Sequence, residues 1–269
     1  MQSILLHIFD DTGLESRLQA ALDLARAVRG HITCLHATPL EEYLKVDPWV
    51  AARLPEEFSE KMKARRIALQ AKVEGRLKAD GVEWDWVHID DTMARALVRH
   101  SIMFDVVVVT LARHSFENDE PRTIAAAVAT GARAPVLAVP ESDERLRLEA
   151  PIVIAWNGSP EAAVAMRAAL PILRLSAAVH LLEVEHKMAP YPRDLAAKYL
   201  SRHDVHVEIA QRRPIDGSVS EAITACALEL DAGLIVMGAY GHSRLREFLL
   251  GGVTQDLIFG SRIPLLLAH

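Results

Sequence analysis

The sequence predicts an α/β protein made of two consecutive doubly wound units, each with a five-stranded parallel sheet and helices on both faces. Three observations carry this. Short apolar runs alternate along the whole chain with longer stretches whose apolar residues recur at helical spacing. The order of those runs restarts near residue 150. The length of 269 residues, 51% of them hydrophobic, suits one large domain or two of about 130 residues with substantial cores.

Residues 4–9 are a short apolar run, as a buried parallel strand is. Asp10-Asp11-Thr12-Gly13 breaks it, and 14–28 reads as a helix because Leu18, Ala21, Leu22, Ala25 and Val28 share a face. Gly30 ends the helix, and 32–37 is a second strand. A long stretch, 40–80, follows Pro39, and its second part, about 56–78, reads as a charged amphipathic helix that Gly81 stops. Trp84, Trp86 and His88 alternate with Glu83, Asp85 and Val87 in a third strand, 83–89. Asp90-Asp91-Thr92-Met93 opens a helix to about 99, and 106–110, rich in valine, is a central fourth strand. A polar loop, 112–120, leads to Pro121, which suits a first helical turn. That helix runs to about 130, and 134–139 is the fifth strand.

Residues 141–150 are charged and free of glycine, and read as a linker between domains at 1–140 and 151–269. The pattern then repeats. Strand 152–156 is followed by Asn157-Gly158-Ser159-Pro160, a turn in which Ser159 caps a helix over 161–175 and Pro160 takes its first position. Pro171 kinks that helix or ends it early. Strand 179–184, a short helix at 195–200, strand 205–210, a helix from Gly217-Ser218 to 230, strand 234–237, a helix at 253–259 and strand 263–268 complete the unit. Phe9-Asp10 matches Trp156-Asn157, and Ala134-Pro135 matches Ile263-Pro264. In such sheets ligands bind beyond the carboxyl ends of the strands where strand order reverses, so the exits of the first and fourth strands of each unit are the places to look.

Composition excludes several classes. The net charge of −6 and the lack of a basic patch argue against nucleic acid as the main partner. The two cysteines, Cys34 and Cys226, each sit in an apolar run and read as buried thiols rather than a disulfide framework, as in a reducing compartment. The first residues lack a basic region and a long apolar run, and no stretch approaches the ~20 apolar residues of a membrane span, so a cytoplasmic protein with no membrane partner is expected. Twelve histidines invite a metal reading, but His203 and His206 need not converge, and HExxH and CxxC are absent, so no metal site is expected. Gly-x-Ser-x-Gly is also absent. The aspartate pairs at 10–11 and 90–91 are better explained as helix caps than as acid/base pairs, so no catalytic residue is named.

The most informative stretch runs from Leu234 to Thr254. Gly238 and Gly241 stand at a strand exit, and Gly251 and Gly252 precede a short helix. Glycines there let backbone N–H groups approach an anion closely, and the helix N-terminus adds about half a positive charge. The same glycines equally suit tight turns in a packed α/β domain. No Gly-Lys-Ser/Thr follows, so this is not a P-loop, and it is not the G-x-G-x-x-G dinucleotide fingerprint.

The spacing G-x2-G-x9-G, with the closing Pro264-Leu-Leu-Leu, resembles the signature of the universal stress protein family, and the chain looks like a tandem, two-domain member. The resemblance implies a Rossmann-like fold of the adenine nucleotide alpha hydrolase-like type. It also implies a stress-response regulatory protein whose second domain binds an adenine nucleotide (ATP, ADP or AMP, with or without Mg2+). The implied contacts are Ala155, Trp156 and Asn157 at the base and ribose, Val184 at adenine, Gly238, Gly241, Gly251, Gly252, Val253 and Thr254 at the phosphates, and Met237 beside them in the nucleotide site. Two positions depart from the family pattern. Asn157 stands where nucleotide-binding relatives have Asp, and Gly252 stands where they have Ser or Thr. In the first half Thr110, Arg113, Thr123 and Ile124 replace the motif, so no nucleotide is expected there, and Asp10 is expected to cap the following helix. The resemblance further implies antiparallel pairing of the two last strands within the chain, with a homodimer as a further option. A nucleotide-free interaction scaffold is the alternative function, and a slow ATPase a weaker one.

Overall fold

The computed structural model describes residues 1–38, 56–111, 124–142, 145–184, 191–239 and 252–269, with side chains of the first long helix from residue 60 onward. Ten strands form one sheet. They are β1 (Ser3–Ile8), β2 (His31–Ala37), β3 (Trp84–Ile89), β4 (Val106–Thr110) and β5 (Val136–Val139) in the first half, and β6 (Ile152–Ala155), β7 (Val179–Val184), β8 (Val207–Arg212), β9 (Leu234–Gly238) and β10 (Leu265–Ala268) in the second. The helices are α1 (Leu14–Val28), α2 (Glu56–Asp80), α3 (Met93–His100), α4 (Ile124–Gly131), α5 (Pro160–Leu173), α6 (Arg193–Ser201), α7 (Val219–Glu229) and α8 (Gly252–Gly260). A short 3-10 turn, Ser101–Met103, follows α3.

The strand order is β3-β2-β1-β4-β5-β10-β9-β6-β7-β8. Within each half neighbouring strands are parallel. The halves join where β5 and β10 run antiparallel, with Leu265 opposite Ala138 and Leu267 opposite Val136. This is the pairing of last strands that the family resemblance implies. Chain order reverses between β1 and β4 and between β6 and β9, so each half carries one switch point.

Side-chain alternation divides the core into two layers. On one face Ile4, Cys34, Val106, Ile152, Leu181 and Val236 pack under α1, α2, α5 and α6. On the other Leu5, Leu35, Val107, Val153, Leu182 and Ile235 pack under α3, α4, α7 and α8. Val106, Val107, Val108 and Val109 are all fully buried, each contributing about 1.5–3 kcal/mol of burial free energy.

Several predicted boundaries move for identifiable reasons. Strands β5 and β10 start after Pro135 and Pro264 because proline has no N–H for the ladder, although both proline carbonyls accept, from Val107 and Ile235. Gly30 marks the end of α1, yet the left-handed residue there is Arg29, at φ 53°. Gly30 instead eases a tight approach, since a Cβ would stand 3.1 Å from the Gln2 carbonyl. α5 accommodates Pro171 in its last turn and ends two residues later at Leu173. Gly13, not Asp10, is the N-cap of α1, and no side chain caps it, which corrects the expectation for Asp10. Asp91 does not cap α3 either, since Thr92 is the N-cap. Its carboxylate instead accepts the Thr92 N–H and pairs with Arg95 and Arg99.

Candidate functional site

The second-half switch point is built by β6 and β9. Ala155 and Met237 are level on these strands and face the α7/α8 side of the sheet. Val184, at the end of β7, and Val253, in the first turn of α8, pack on that same side of the sheet. α8 begins at Gly252, and a Cβ built there meets nothing within 4 Å. Thr254, two residues on, is 5% exposed. Gly241 and Gly251 lie outside the described residues.

Trp156 is not with this group. Its side chain is buried on the opposite face, in the core under α5 and α6, and its indole Nε1–H donates to the Tyr191 carbonyl at 3.2 Å. The Tyr191 N–H donates in turn to the Gly158 carbonyl at 3.3 Å, tying the start of α6 to the exit of β6. Asn157 is exposed, and its Oδ1 accepts the Ser159 N–H at 3.0 Å. This Asx turn uses Gly158 at φ 70° and delivers Ser159, whose Oγ accepts the Ala162 N–H at 3.1 Å as the cap of α5. Gly238 also has a packing reason to lack a side chain. A Cβ there would stand 2.5 Å from the Ala162 nitrogen, because the start of α5 presses on the end of β9.

The first-half switch point solves the same contact in reverse. The ladder puts Thr110 at the end of β4, where the second half has Gly238, and the glycine lies on the helix side. A Cβ on Gly13 would stand 2.5 Å from Thr110 Cγ2. The ladder also sets Ile8 level with Trp156, and Phe9 level with Asn157, by counting from Ile4 opposite Val106 and Ile152 opposite Leu234. The sequence match of Phe9-Asp10 with Trp156-Asn157 is therefore one residue out, because the loop into α1 is longer than the loop into α5.

What fills the first crevice is Arg17, a residue that the motif search missed. It is fully buried. Its Nε donates to the His7 carbonyl at 2.7 Å, and its Nη1 donates to Asp11 Oδ1 at 2.6 Å and to Thr110 Oγ1 at 3.1 Å. Nη2 donates to the Phe9 carbonyl, and Thr110 Oγ1 passes a bond on to the Gly13 carbonyl at 3.3 Å. Burial pulls the guanidinium pKa below its ordinary value, opposed by Asp11 and Glu141. Four acceptors compensate the buried charge, and the guanidinium ties the exits of β1 and β4 together. A signal was present in the sequence, because Arg17 falls on the inward stripe of α1 with Leu14, Leu18 and Ala21. Thr123 and Arg113 lie outside the described residues, and Ile124 is buried at the start of α4.

A groove of about 300 Å³ lies at the seam, lined by Leu111, Pro140, Glu141, Ile258 and Phe259 among others. It offers an anion a carboxylate and no cation. Among the described residues no group of three or more His, Cys, Asp and Glu converges to hold a metal, and no helix is long and apolar enough to cross a membrane. Cys34 and Cys226 are buried free thiols. Burial pushes Cys34 up to about 12, which makes it inert as a nucleophile.

Comparison with known proteins agrees with this architecture. The model of the universal stress protein family matches residues 150–269. The second half is a universal stress protein domain. The solved universal stress protein from Archaeoglobus fulgidus DSM 4304 superposes over 99% of this chain and 96% of its own, with a TM-score of 0.77 at 16% identity. A putative universal stress protein from Pseudomonas aeruginosa UCBPP-PA14 covers 100% of this chain and 93% of its own, with a TM-score of 0.63 at 15% identity. These likenesses extend the universal stress protein fold to the first half. No curated protein matches the chain.

Proposed function

We propose that the chain is a regulatory, non-catalytic universal stress protein with an adenine-nucleotide site in the domain 151–269, and with a domain at 1–140 that takes no nucleotide. The observation that carries this is the start of α8. A helix N-terminus begins at Gly252, where a Cβ would meet nothing within 4 Å, on the same face of the sheet as Ala155, Met237, Val184 and Val253. Phosphates would take backbone N–H groups from Gly252 and Val253, with Gly241, Gly251 and the Thr254 hydroxyl adding to them, and Gly238 forming the floor. The base would rest on the apolar group. ATP, ADP and AMP share this chemistry, and a triphosphate would bring Mg2+. In the first half, Arg17 and Thr110 tie the exits of β1 and β4 together on the α1 side of the sheet, the side opposite this group.

A second reading, an interaction scaffold with an empty site, is favoured by the way two of the site residues are used. Asn157 is engaged in a turn, and Gly238 lacks a side chain because α5 packs on it. The two readings separate on protein purified without added nucleotide, then denatured, with released small molecules identified by chromatography and mass. About one adenine nucleotide per chain supports the first reading. None, together with no heat of binding on titration with ATP or AMP, leaves the scaffold.

A further inference from the structure

The two halves differ sharply at one ladder level away from the crevices. In the second half Glu183 and Gln211 are partners across β7 and β8. Arg193, the first residue of α6, donates to Glu183 Oε2 at 2.7 Å. In the first half the matching partners across β2 and β3 are His36 and His88. Their Nδ1 atoms stand 3.0 Å apart, so one carries a hydrogen and the other a lone pair aimed at it. His88 is exposed and His36 is 6% exposed, which opens the pair to solvent from one side. Thr38 Oγ1 lies 3.4 Å from His88 Nε2, and Trp86 stacks on His36 with centroids 6.1 Å apart, so both rings are oriented by neighbours.

We infer that His36 and His88 form a two-imidazole site for a divalent transition-metal ion of the copper(II) or nickel(II) class, with water completing the coordination. Imidazole nitrogen suits this class, and the spacing allows both rings to reach one ion. Two nitrogens about 2.0–2.1 Å from a shared ion are about 2.9 Å apart at a right angle and about 3.3 Å apart at the tetrahedral angle. The observed 3.0 Å lies in this range, and because the two nitrogens now face each other in a hydrogen bond, both rings turn to bring their lone pairs onto a shared ion. On binding, the hydrogen between the Nδ1 atoms moves to Nε2 of its own ring, so both imidazoles stay neutral and both lone pairs face the metal. Burial, His88 and Arg66 hold His36 down to about 4, and burial and Arg66 lower His88, so protons compete little near neutral pH. Arg66 opposes the cation and Asp90 favours it.

The test is a titration of the full chain with Cu2+, and in parallel Ni2+, in a non-chelating buffer. It is read by quenching of tryptophan emission, since Trp86 adjoins the site, and by calorimetric stoichiometry. The expected result is one saturable site per chain, weakened at least tenfold in His88→Ala. It is weakened equally in the double variant His36→Glu with His88→Gln, which installs the pair of the second half opposite Arg66 and keeps the ladder filled. Quenching and stoichiometry unchanged in both variants, or no saturable site in the wild type, would overturn the assignment.

Discussion

At the scale of the residue, two glycines of one motif have different physical reasons. Gly238 is fixed by the backbone of α5, whereas Gly252 has open space around its missing Cβ. Only the second is free to change. Gly252→Ser places at the start of α8 the hydroxyl that the family pattern puts there. A hydrogen bond to a charged group contributes about 1.5 kcal/mol or more, so ATP should bind roughly tenfold tighter by calorimetry. A folded variant with unchanged affinity would move the phosphates away from α8. A second prediction concerns pH. Burial first, then His88 and Arg66, hold His36 at about 4 against the usual 6.5. As pH falls, the unfolded chain takes up this proton before the folded one does. The contribution to stability is whole above pH 6.5 and is lost as pH falls through 4. Denaturation midpoints measured between those limits should decline less steeply for His36→Gln than for the wild type, and parallel slopes would remove His36 from the account. The glycine spacing was legible in the sequence because turn chemistry is local. The burial of Arg17 was not, because its acceptors on β1 and β4 come together only in the fold.

At the scale of the element, strands and helices were legible wherever side-chain period and punctuation agreed. β4 and β9 are unbroken apolar runs, and α5 announces itself through Ser159-Pro160. Ends were less legible where a long-range contact decides them. α1 carries glycine at its N-cap because Thr110 leaves no room for a side chain, so Gly13→Ser would gain no cap without a clash. α5 and α7 use Ser159 and Ser218 as conventional caps, each accepting from a backbone N–H three residues on. Ser159→Ala should lower unfolding free energy by about 1 kcal/mol, and by more where burial leaves the Ala162 N–H without a partner. Chemical denaturation reads this directly. An unshifted midpoint would mean that the cap hydrogen bond contributes nothing net beside the Asn157 turn that precedes it.

At the scale of the whole molecule, the antiparallel contact of β5 and β10 turns two five-stranded sheets into one of ten strands. Each half would otherwise expose its last strand as an open edge, with backbone N–H and C=O groups free to recruit another chain. The internal duplication supplies that partner within the chain, so the seam behaves as a dimer contact made intramolecular. The edges left are β3 and β8, at the two ends of the sheet. β3 is backed by α2 through Trp84 and Trp86 on the same layer as Leu69, Val73 and Leu77. A fragment of residues 145–269 keeps β6 to β10 together with the Arg147, Glu149 and Ala150 bonds to the second half, and it loses the partner of β10. It should therefore run in light scattering at twice its mass, with β10 paired to its own copy. The Pro264 and Ala268 carbonyls accept from Ile235 and Ala239 on the β9 side, so the alternate residues Leu265 and Leu267 face the open edge. Leu267→Pro in that fragment removes a backbone donor from the edge and should return it to a monomer. A fragment that is folded and monomeric without the proline would show that the seam holds the halves together without being an associating edge in its own right.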